Sequence, residues 1–226
     1  MKPLHLILPL VLAITVAPLA ALASDELPET TTDGLKLVKG TEVRAVYMAE
    51  GADLSQYDKI AMLKVFVAFK KNWKRDHNRD AATLEDRVSD KDMQKIRDEL
   101  AKEFERVFVE TLEKEGGHQF VKEAGEGVLI LRPAIINLDV AAPDLMQPDI
   151  QTFAASAGSM TLYMEMFDGK TGAKIAQVID PEAASDGLWH YSNSVTNKFE
   201  ADRVLKRWAS LLNKHLAEVK SKQSAD

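Results

Sequence analysis

The stretch Gly158–Asp180, GSMTLYMEMFDGKTGAKIAQVID, carries the clearest structural signal in the chain. Its first half places apolar side chains at every second position: Met160, Leu162, Met164 and Met166. This period of two is typical of a strand with one buried face. A second β-rich run follows Asp-Gly-Lys-Thr-Gly, and glycines between two such runs favour a tight turn because glycine accepts positive φ. The stretch therefore predicts a β-hairpin.

The turn of this hairpin contains Gly169-Lys170-Thr171, which is also how a phosphate-binding loop ends. That loop needs an earlier glycine so that backbone N–H groups can surround the phosphates, and Met164 stands at its position. The loop also leads into a helix, whereas a β-rich run follows here. We interpret Lys170 as a solvated turn residue.

Two long amphipathic helices are predicted outside the hairpin. The first starts after Ser89, a favourable N-cap followed by acidic residues, and ends at Gly116-Gly117. The second extends from about Thr196 to Lys220, with apolar residues at three- and four-residue steps. Trp208 lies on its apolar side and is predicted to be a core residue.

Further strands are predicted before each helix. Residues 53–73, DLSQYDKIAMLKVFVAFKKNW, contain one alternating run, and residues 118–142 contain two more strands around Ala-Gly-Glu-Gly, the second of which includes Pro133. Pro133 cannot donate to a ladder, so a bulge or an edge is expected there. The order of elements predicts an α+β fold. We expect a single domain, residues 41–220, with a mainly antiparallel sheet and two long helices packed against it.

The first 23 residues have the pattern of a cleavable export signal: a basic start, a short apolar run and small residues before the cut. A membrane anchor is the alternative, but two prolines interrupt the run, which is short for a span of about 20 apolar residues. We expect a flexible polar leader at residues 24–40 and a disordered tail at 221–226. The expected location is the periplasm, with no transmembrane segment after cleavage.

The composition excludes several function classes. The chain has 226 residues, a formal net charge of −6 and no cysteine. An acidic chain is a poor nucleic-acid binder, because such binding needs clustered cations. The absence of cysteine excludes thiol nucleophiles, thiolate metal sites and lipid attachment to a cysteine after the signal. A chain of this length can bury a sufficient core without disulfides.

Two segments are candidates for partner binding. Residues 70–79, KKNWKRDHNR, are too charged and irregular to predict a regular element, and they place cations around an indole: Trp73, Lys74 and Arg75. The alternative is a solvated loop. The second candidate is an exposed apolar surface in a proline-bearing loop, formed by Leu145, Met146 and Phe153. These three residues could instead fold over a sheet edge.

No residue is predicted to be catalytic, to bind a cofactor or to hold a metal. The histidines lack metal-ligand spacing, and Ser159 lacks the nucleophile-elbow motif. Acids that are distant in sequence can still meet in space, so carboxylate catalysis stays open. Glu165 and Arg132 are charged positions within strands, and we interpret them as a structural ion pair.

Three segments in this order resemble the exported bacterial proteins grouped as domain of unknown function 3313. They are residues 53–73, 158–180 and 194–212, and the closing Arg207-Trp208-Ala209 carries much of the resemblance. The resemblance implies a Gram-negative envelope location and brings no activity and no catalytic residues. Many members are lipoprotein-like with a cysteine after the signal. This chain has Ser24 there, which favours a periplasmic protein without a lipid anchor.

These observations favour a non-enzymatic periplasmic protein that binds a cell-envelope partner, whether protein, glycan or lipid. Two alternatives stay open. One is a carboxylate-dependent hydrolase or glycan-acting enzyme, which would need acids converging in a pocket. The other is a carrier of a small apolar ligand, which would need a cavity between the sheet and the helices.

Overall fold

The computed structural model describes residues 26–81, 83–84, 87–142, 156–183 and 194–223. Within these residues the chain forms one sheet and three helices. The strands are β1 Lys36–Val38, β2 Ala45–Met48, β3 Lys59–Met62, β4 Phe66–Phe69, β5 Gln119–Phe120, β6 Val128–Ala142, β7 Ser156–Asp168 and β8 Lys174–Ala183. The helices are α1 Trp73–Asp80, α2 Asp90–Lys114 and α3 Ser194–Gln223.

The predicted α+β class and single domain are confirmed, but the sheet is mixed. Its order is β1-β2-β8-β7-β6-β3-β5, with β4 also paired to β6. The ladders that link β1, β2, β8, β7 and β6 are antiparallel, as expected. The ladders β3–β5, β3–β6 and β4–β6 are parallel. Here α1 and α2 separate β3 and β4 from their partners in sequence, and a helical crossover returns the chain in the same direction.

The predicted hairpin of β7 and β8 is confirmed, and the turn is held by its own side chains. The Asp168 carboxylate accepts hydrogen bonds from the Thr171 N–H and hydroxyl at 2.6 Å each and from the Tyr57 hydroxyl at 2.9 Å. Gly172 has a φ of 72°. A Cβ on Gly169 would lie 2.6 Å from the Val128 carbonyl oxygen, so only glycine fits there. The Gly-Lys-Thr sequence therefore serves the turn.

The long strand predicted within residues 53–73 is interrupted. Strands β3 and β4 lie end to end along β6, pairing with Val128–Leu131 and then from Ala134 onward. The gap lies beside Pro133, which has no N–H to offer to this ladder. On its other side β6 stays in register with β7 through Pro133, so the interruption affects one edge alone.

The core lies between one face of the sheet and the two long helices. Helix α2 starts at the predicted N-cap, where Ser89 and Asp92 form a capping box. Phe104 and Phe108 are fully buried and stack with ring centroids 4.0 Å apart. Helix α3 packs against α2 and β7, and Trp208 is 2% exposed, which confirms its predicted place in the core.

Two predictions about local structure require correction. Residues 70–79 were expected to be irregular, yet most of them form helix α1, because the buried Trp73 attaches an otherwise polar helix to the core. The Asn78 side chain further ties this helix to the backbone of Val88 at 2.7 and 3.0 Å. Residues 36–38 were assigned to the polar leader and instead form β1, which the buried Leu35 holds against the sheet.

No helix in the described part of the chain is long and apolar enough to cross a membrane. The predicted export signal, the candidate residues Leu145, Met146 and Phe153, and residues 224–226 of the predicted tail lie outside the described residues. Residues 221–223, which were assigned to that tail, instead continue helix α3.

Candidate functional site

An apolar cleft lies between α3, the helix-facing side of the sheet and the segment Val38–Val43. We call it the α3 cleft. Its volume is about 320 Å³, which is at the lower end of small-molecule sites. The apolar residues that line it are Val46, Met48, Leu54, Leu162, Met164, Met166, Ala176, Val178, Trp208, Leu211 and Leu212.

The cleft follows from the alternation of the two hairpin strands. Leu162, Met164 and Met166 of β7 face α3, and beside them on β8 are the small Ala176 and Val178. Opposite them α3 presents one apolar stripe, with Trp208 and Leu212 one turn apart. Small residues facing a helix leave space that larger side chains would fill. The methionines of the wall can adapt to ligands of different shape, because their side chains are flexible and polarizable.

The rim of the α3 cleft is polar, and a short segment closes one side of it. The residues at the rim are Lys39, Thr41, Glu42, Lys214, His215 and Glu218. Lys214 forms an ion pair with Glu42, and a guanidinium N–H of Arg207 donates to the Glu42 carbonyl at 3.2 Å. The hydrogen bond from Lys214 lowers the pKa of Glu42. These contacts fix the segment to α3.

A buried carboxylate, Asp180, positions the indole wall of the cleft. It is 4% exposed. One oxygen accepts from Trp208 Nε1 at 2.8 Å and from Arg207 at 2.9 Å, and the other accepts from the Arg44 backbone N–H at 2.9 Å. Arg207 also pairs with Glu182. The network thus joins β8, α3 and the backbone before β2 at one end of the cleft.

The chain is similar to one protein family and to two solved structures. A family model described as "Protein of unknown function (DUF3313)" matches residues 31–212. The chain belongs to this family. The match includes the hairpin, the apolar lining of the α3 cleft and the Asp180 network, and it confirms the resemblance of the three segments. No curated protein matches the chain.

Two solved structures of PelC from Paraburkholderia phytofirmans are similar to the chain. A dodecamer of a PelC variant in space group C2 has 13% identity and a TM-score of 0.35, covering 71% of this chain and 93% of that chain. A PelC dodecamer in space group P6 has 12% identity and a TM-score of 0.27, covering 71% of this chain and 94% of that chain.

The patch predicted around Trp73 is divided between core and surface. Trp73 is 5% exposed, stacks between Phe69 and His77, and donates its Nε1–H to the Val140 carbonyl at 3.2 Å. Its indole therefore faces the protein interior. The neighbouring cations are at the surface and paired, Lys74 with Asp90 at 2.8 Å and Arg75 with Asp76 at 2.9 Å.

Arg132 and Glu165 lie directly opposite one another on β6 and β7, and they form the predicted ion pair. Lys174 adds a second cation 2.8 Å from Glu165. The Tyr163 hydroxyl donates to Glu165 at 3.3 Å, and burial together with this carboxylate raises the pKa of Tyr163. The group lies on the sheet face away from α3 and lines no part of the cleft.

A second carboxylate pair lies where α2 contacts α3. Burial and a hydrogen bond with Glu103 raise the pKa of Asp202 to about 6, and Arg106 partly offsets the effect from 3.1 Å. Arg106 also binds Glu103 at 2.7 Å, so it links the two acids. The pair lines neither the α3 cleft nor the other large cavity of the described chain.

We expect this pair to make stability depend on pH. Because the pKa of Asp202 is higher in the folded protein than its ordinary value of 3.8, the folded state binds a proton more readily. Protonated Asp202 therefore contributes to the unfolding free energy at low pH, and this contribution is lost as the pH rises through about 6. Asp202→Asn should raise stability by roughly 0.5 kcal/mol at neutral pH and by less at acidic pH.

Urea denaturation across this pH range measures the effect, with Asp98→Asn on the exposed side of α2 as the control. If the difference in unfolding free energy between Asp202→Asn and the unmodified protein does not change with pH, the raised pKa of Asp202 is contradicted.

Sequence reasoning missed both the cleft and Asp180. The cleft needs the contribution of residues 38–43, of which residues 38–40 were assigned to the leader. The available signal for Asp180 was a lone acid ending an apolar strand, with Arg207-Trp208 later in a helix.

Proposed function

We propose that this chain is an exported, non-enzymatic binding protein of the bacterial cell envelope, and that its ligand is a small apolar molecule held in the α3 cleft. The observation that carries the proposal is the apolar cleft of about 320 Å³ between α3 and the sheet. An apolar cavity that is not filled by side chains takes up apolar molecules, because water gains no hydrogen-bond partners there.

The chemistry of the cleft indicates the class of ligand. Its inner wall offers thioether, aliphatic and indole surface, including Met164 and Trp208, while its charged groups are restricted to the rim. A ligand that places an apolar part inside and a polar end among Glu42, Lys214 and His215 matches both regions. Burial of apolar surface contributes about 25 cal/mol per Å², so micromolar binding, which needs about 8 kcal/mol, requires a ligand with at least roughly 330 Å² of enclosed apolar surface.

A hydrolase is the less favoured function. The acids that meet in space, Glu103 and Asp202, pack between α2 and α3 with Arg106 bridging them, away from the α3 cleft. A general acid must reach a substrate held in a pocket. The raised pKa of Asp202 therefore fits a helix-packing contact better than catalysis.

The ligand proposal is tested by titration with the apolar fluorescent probe N-phenylnaphthylamine. We expect saturable enhancement of its emission, and Val178→Phe should weaken binding at least about tenfold because the added ring fills the cleft. Ile179→Phe is the matched control: the residue is next in sequence but packs with the Tyr47 cluster on the opposite sheet face.

Thermal unfolding of each variant confirms that it is folded, and Ala176→Leu provides a second, smaller filling of the cleft. Equal weakening by Val178→Phe and Ile179→Phe, or no saturable binding by the folded unmodified protein, would overturn the proposal.

The envelope location is a separate part of the proposal. It predicts a mature chain that begins at Ser24 in the periplasmic fraction, which fractionation and N-terminal sequencing measure.

A further inference from the structure

A second candidate site lies along β4, which is separated in the sheet from β1 and β2 by β8, β7 and β6. An open groove of about 1040 Å³ runs between this strand, α1 and the first half of α2. We call it the β4 groove. Every residue from Lys64 to Lys70 lines it. Because successive side chains of a strand point to opposite faces, a groove touched by all of them follows the strand's edge.

The edge of β4 that faces the groove has no strand partner in the described part of the chain. Strand β4 pairs with β6 alone, whereas β3, which continues the same row, also pairs with β5. An edge of this kind presents N–H and C=O groups that an extended peptide can pair with. The far wall of the groove is a single stripe of α2: Met93, Gln94, Arg97, Asp98 and Ala101.

The groove combines apolar surface with positive charge. Phe66 is 53% exposed and lines the groove, so its ring is available for contact with a ligand. The charged residues of the lining are Lys64, Lys70, Lys74, Arg75, Arg97 and Asp98. This is an excess of cations in a chain whose formal net charge is −6.

The two cations that matter most are those without an acidic partner. Lys70, Lys74 and Arg75 are paired with aspartates, whereas the ion pairs of the described chain include neither Lys64 nor Arg97. Arg97 lies 5.4 Å from the Phe69 ring centroid and donates to Gln94 at 3.3 Å. These contacts hold the guanidinium over the groove, with donors left for a ligand. Lys64 and Arg97 thus provide positive charge on opposite walls.

We propose that the β4 groove binds an acidic, extended peptide segment of a partner protein, which adds to the sheet as a strand beside β4. The free edge supplies the backbone hydrogen bonds, Phe66 supplies apolar contact, and Lys64 and Arg97 select carboxylates. A free strand edge favours a peptide over an anionic glycan, since a glycan has no amide ladder. The positive lining favours an acidic occupant over a basic one.

The test is a fluorescence-anisotropy titration with three labelled peptides. The first alternates glutamate and valine, the second replaces glutamate by lysine, and the third is the acidic peptide N-methylated at alternate residues. We expect the acidic peptide to bind at least about tenfold more tightly than either of the others. The difference in affinity between the acidic and the lysine peptide measures the contribution of charge. The difference between the acidic and the N-methylated peptide measures the contribution of the backbone hydrogen bonds.

Protein variants locate the site. The double substitution Lys64→Glu with Arg97→Glu should weaken binding of the acidic peptide at least about tenfold. Lys102→Glu with Lys122→Glu makes the same change in net charge at exposed positions that do not line the groove, and it should have little effect. Phe66→Ser should weaken all binding while leaving the folded state intact.

Equal affinity for the acidic and the lysine peptide would overturn the proposal, as would equal weakening by the two double variants. Undiminished binding of the N-methylated peptide would contradict strand addition, because it would show that charge attraction alone holds the peptide. Self-association, measured by sedimentation, that Phe66→Ser abolishes while the acidic peptide fails to bind would assign the edge to a second copy of the chain.

Discussion

Asp180→Ala is expected to lower the free energy of unfolding by about 2–3 kcal/mol, because the substitution leaves the buried indole N–H of Trp208 without an acceptor. The Trp208 Nε1–H loses its acceptor at 2.8 Å, and the Arg44 backbone N–H loses its hydrogen bond of 2.9 Å to the same carboxylate. A buried donor left unpaired costs about 1–3 kcal/mol. Arg207 keeps Glu182 and therefore loses less. Urea denaturation at neutral pH measures the change.

Two further variants separate the charge from the hydrogen bonds. Asp180→Asn keeps an acceptor and should cost clearly less than Asp180→Ala. Glu182→Ala removes a partner of the same Arg207, but its side chain is 28% exposed, so the expected cost is below about 1 kcal/mol. A loss for Asp180→Ala no larger than for Glu182→Ala would show that the network does not hold α3 to the sheet. Because Trp208 lines the α3 cleft, Asp180→Ala should also weaken probe binding.

Glu165→Ala is expected to cost about 2–4 kcal/mol, because it leaves two cations facing each other on the sheet. The Glu165 side chain is 9% exposed, and Arg132 and Lys174 are 24% and 17% exposed. The removal of one member of a buried ion pair is costly, whereas replacement of both members by apolar residues is often close to neutral. The double substitution Arg132→Met with Glu165→Leu should therefore recover much of the loss.

Chemical denaturation of the single and double variants forms the cycle that measures this coupling. The exposed pair Lys170–Glu126 is the matched control, since its side chains are 63% and 83% exposed and its loss should be within about 0.5 kcal/mol. Purely additive effects of Arg132→Met and Glu165→Leu would contradict the ion pair as the source of stability. Probe binding to the α3 cleft should be retained in the folded Glu165 variant, since Glu165 faces the other side of the sheet.

The elements that the sequence predicts well are those whose signal is local. The hairpin of β7 and β8 follows from alternation and glycine chemistry, and α2 follows from its cap and its apolar stripe. The ion pair of Arg132 and Glu165 was accessible for the same reason, as both are charged positions within neighbouring strands. Local patterns of this kind do not need the rest of the chain to be interpreted.

The elements that the sequence does not predict depend on distant contacts. The parallel pairing of β3 and β4 with β6 is decided by the crossover through α1 and α2, not by any pattern within the strands. Helix α1 has no apolar period and depends on the single buried residue Trp73. The α3 cleft is a volume left between elements, and a volume depends on the packing of β8 against α3.

The segments that carry the family resemblance have structural roles in this fold. Arg207 and Trp208 both bind the buried Asp180, and the adjacent Ala209 is fully buried. Asp168 and Thr171 close the hairpin turn, while Glu165 is part of the ion-paired group. Arg207 and Trp208 thus fix the wall of the α3 cleft, whereas Lys64 and Arg97 of the β4 groove lie at the surface.

A crystal structure of the protein grown with a bromoalkane tests the central proposal most directly, because anomalous scattering locates the bromine without reference to the fold. The account predicts a bromine peak inside the α3 cleft, among Met164, Ala176 and Trp208, that is lost in Val178→Phe. Bromine bound only elsewhere, or a cleft filled by the protein's own side chains, would contradict it.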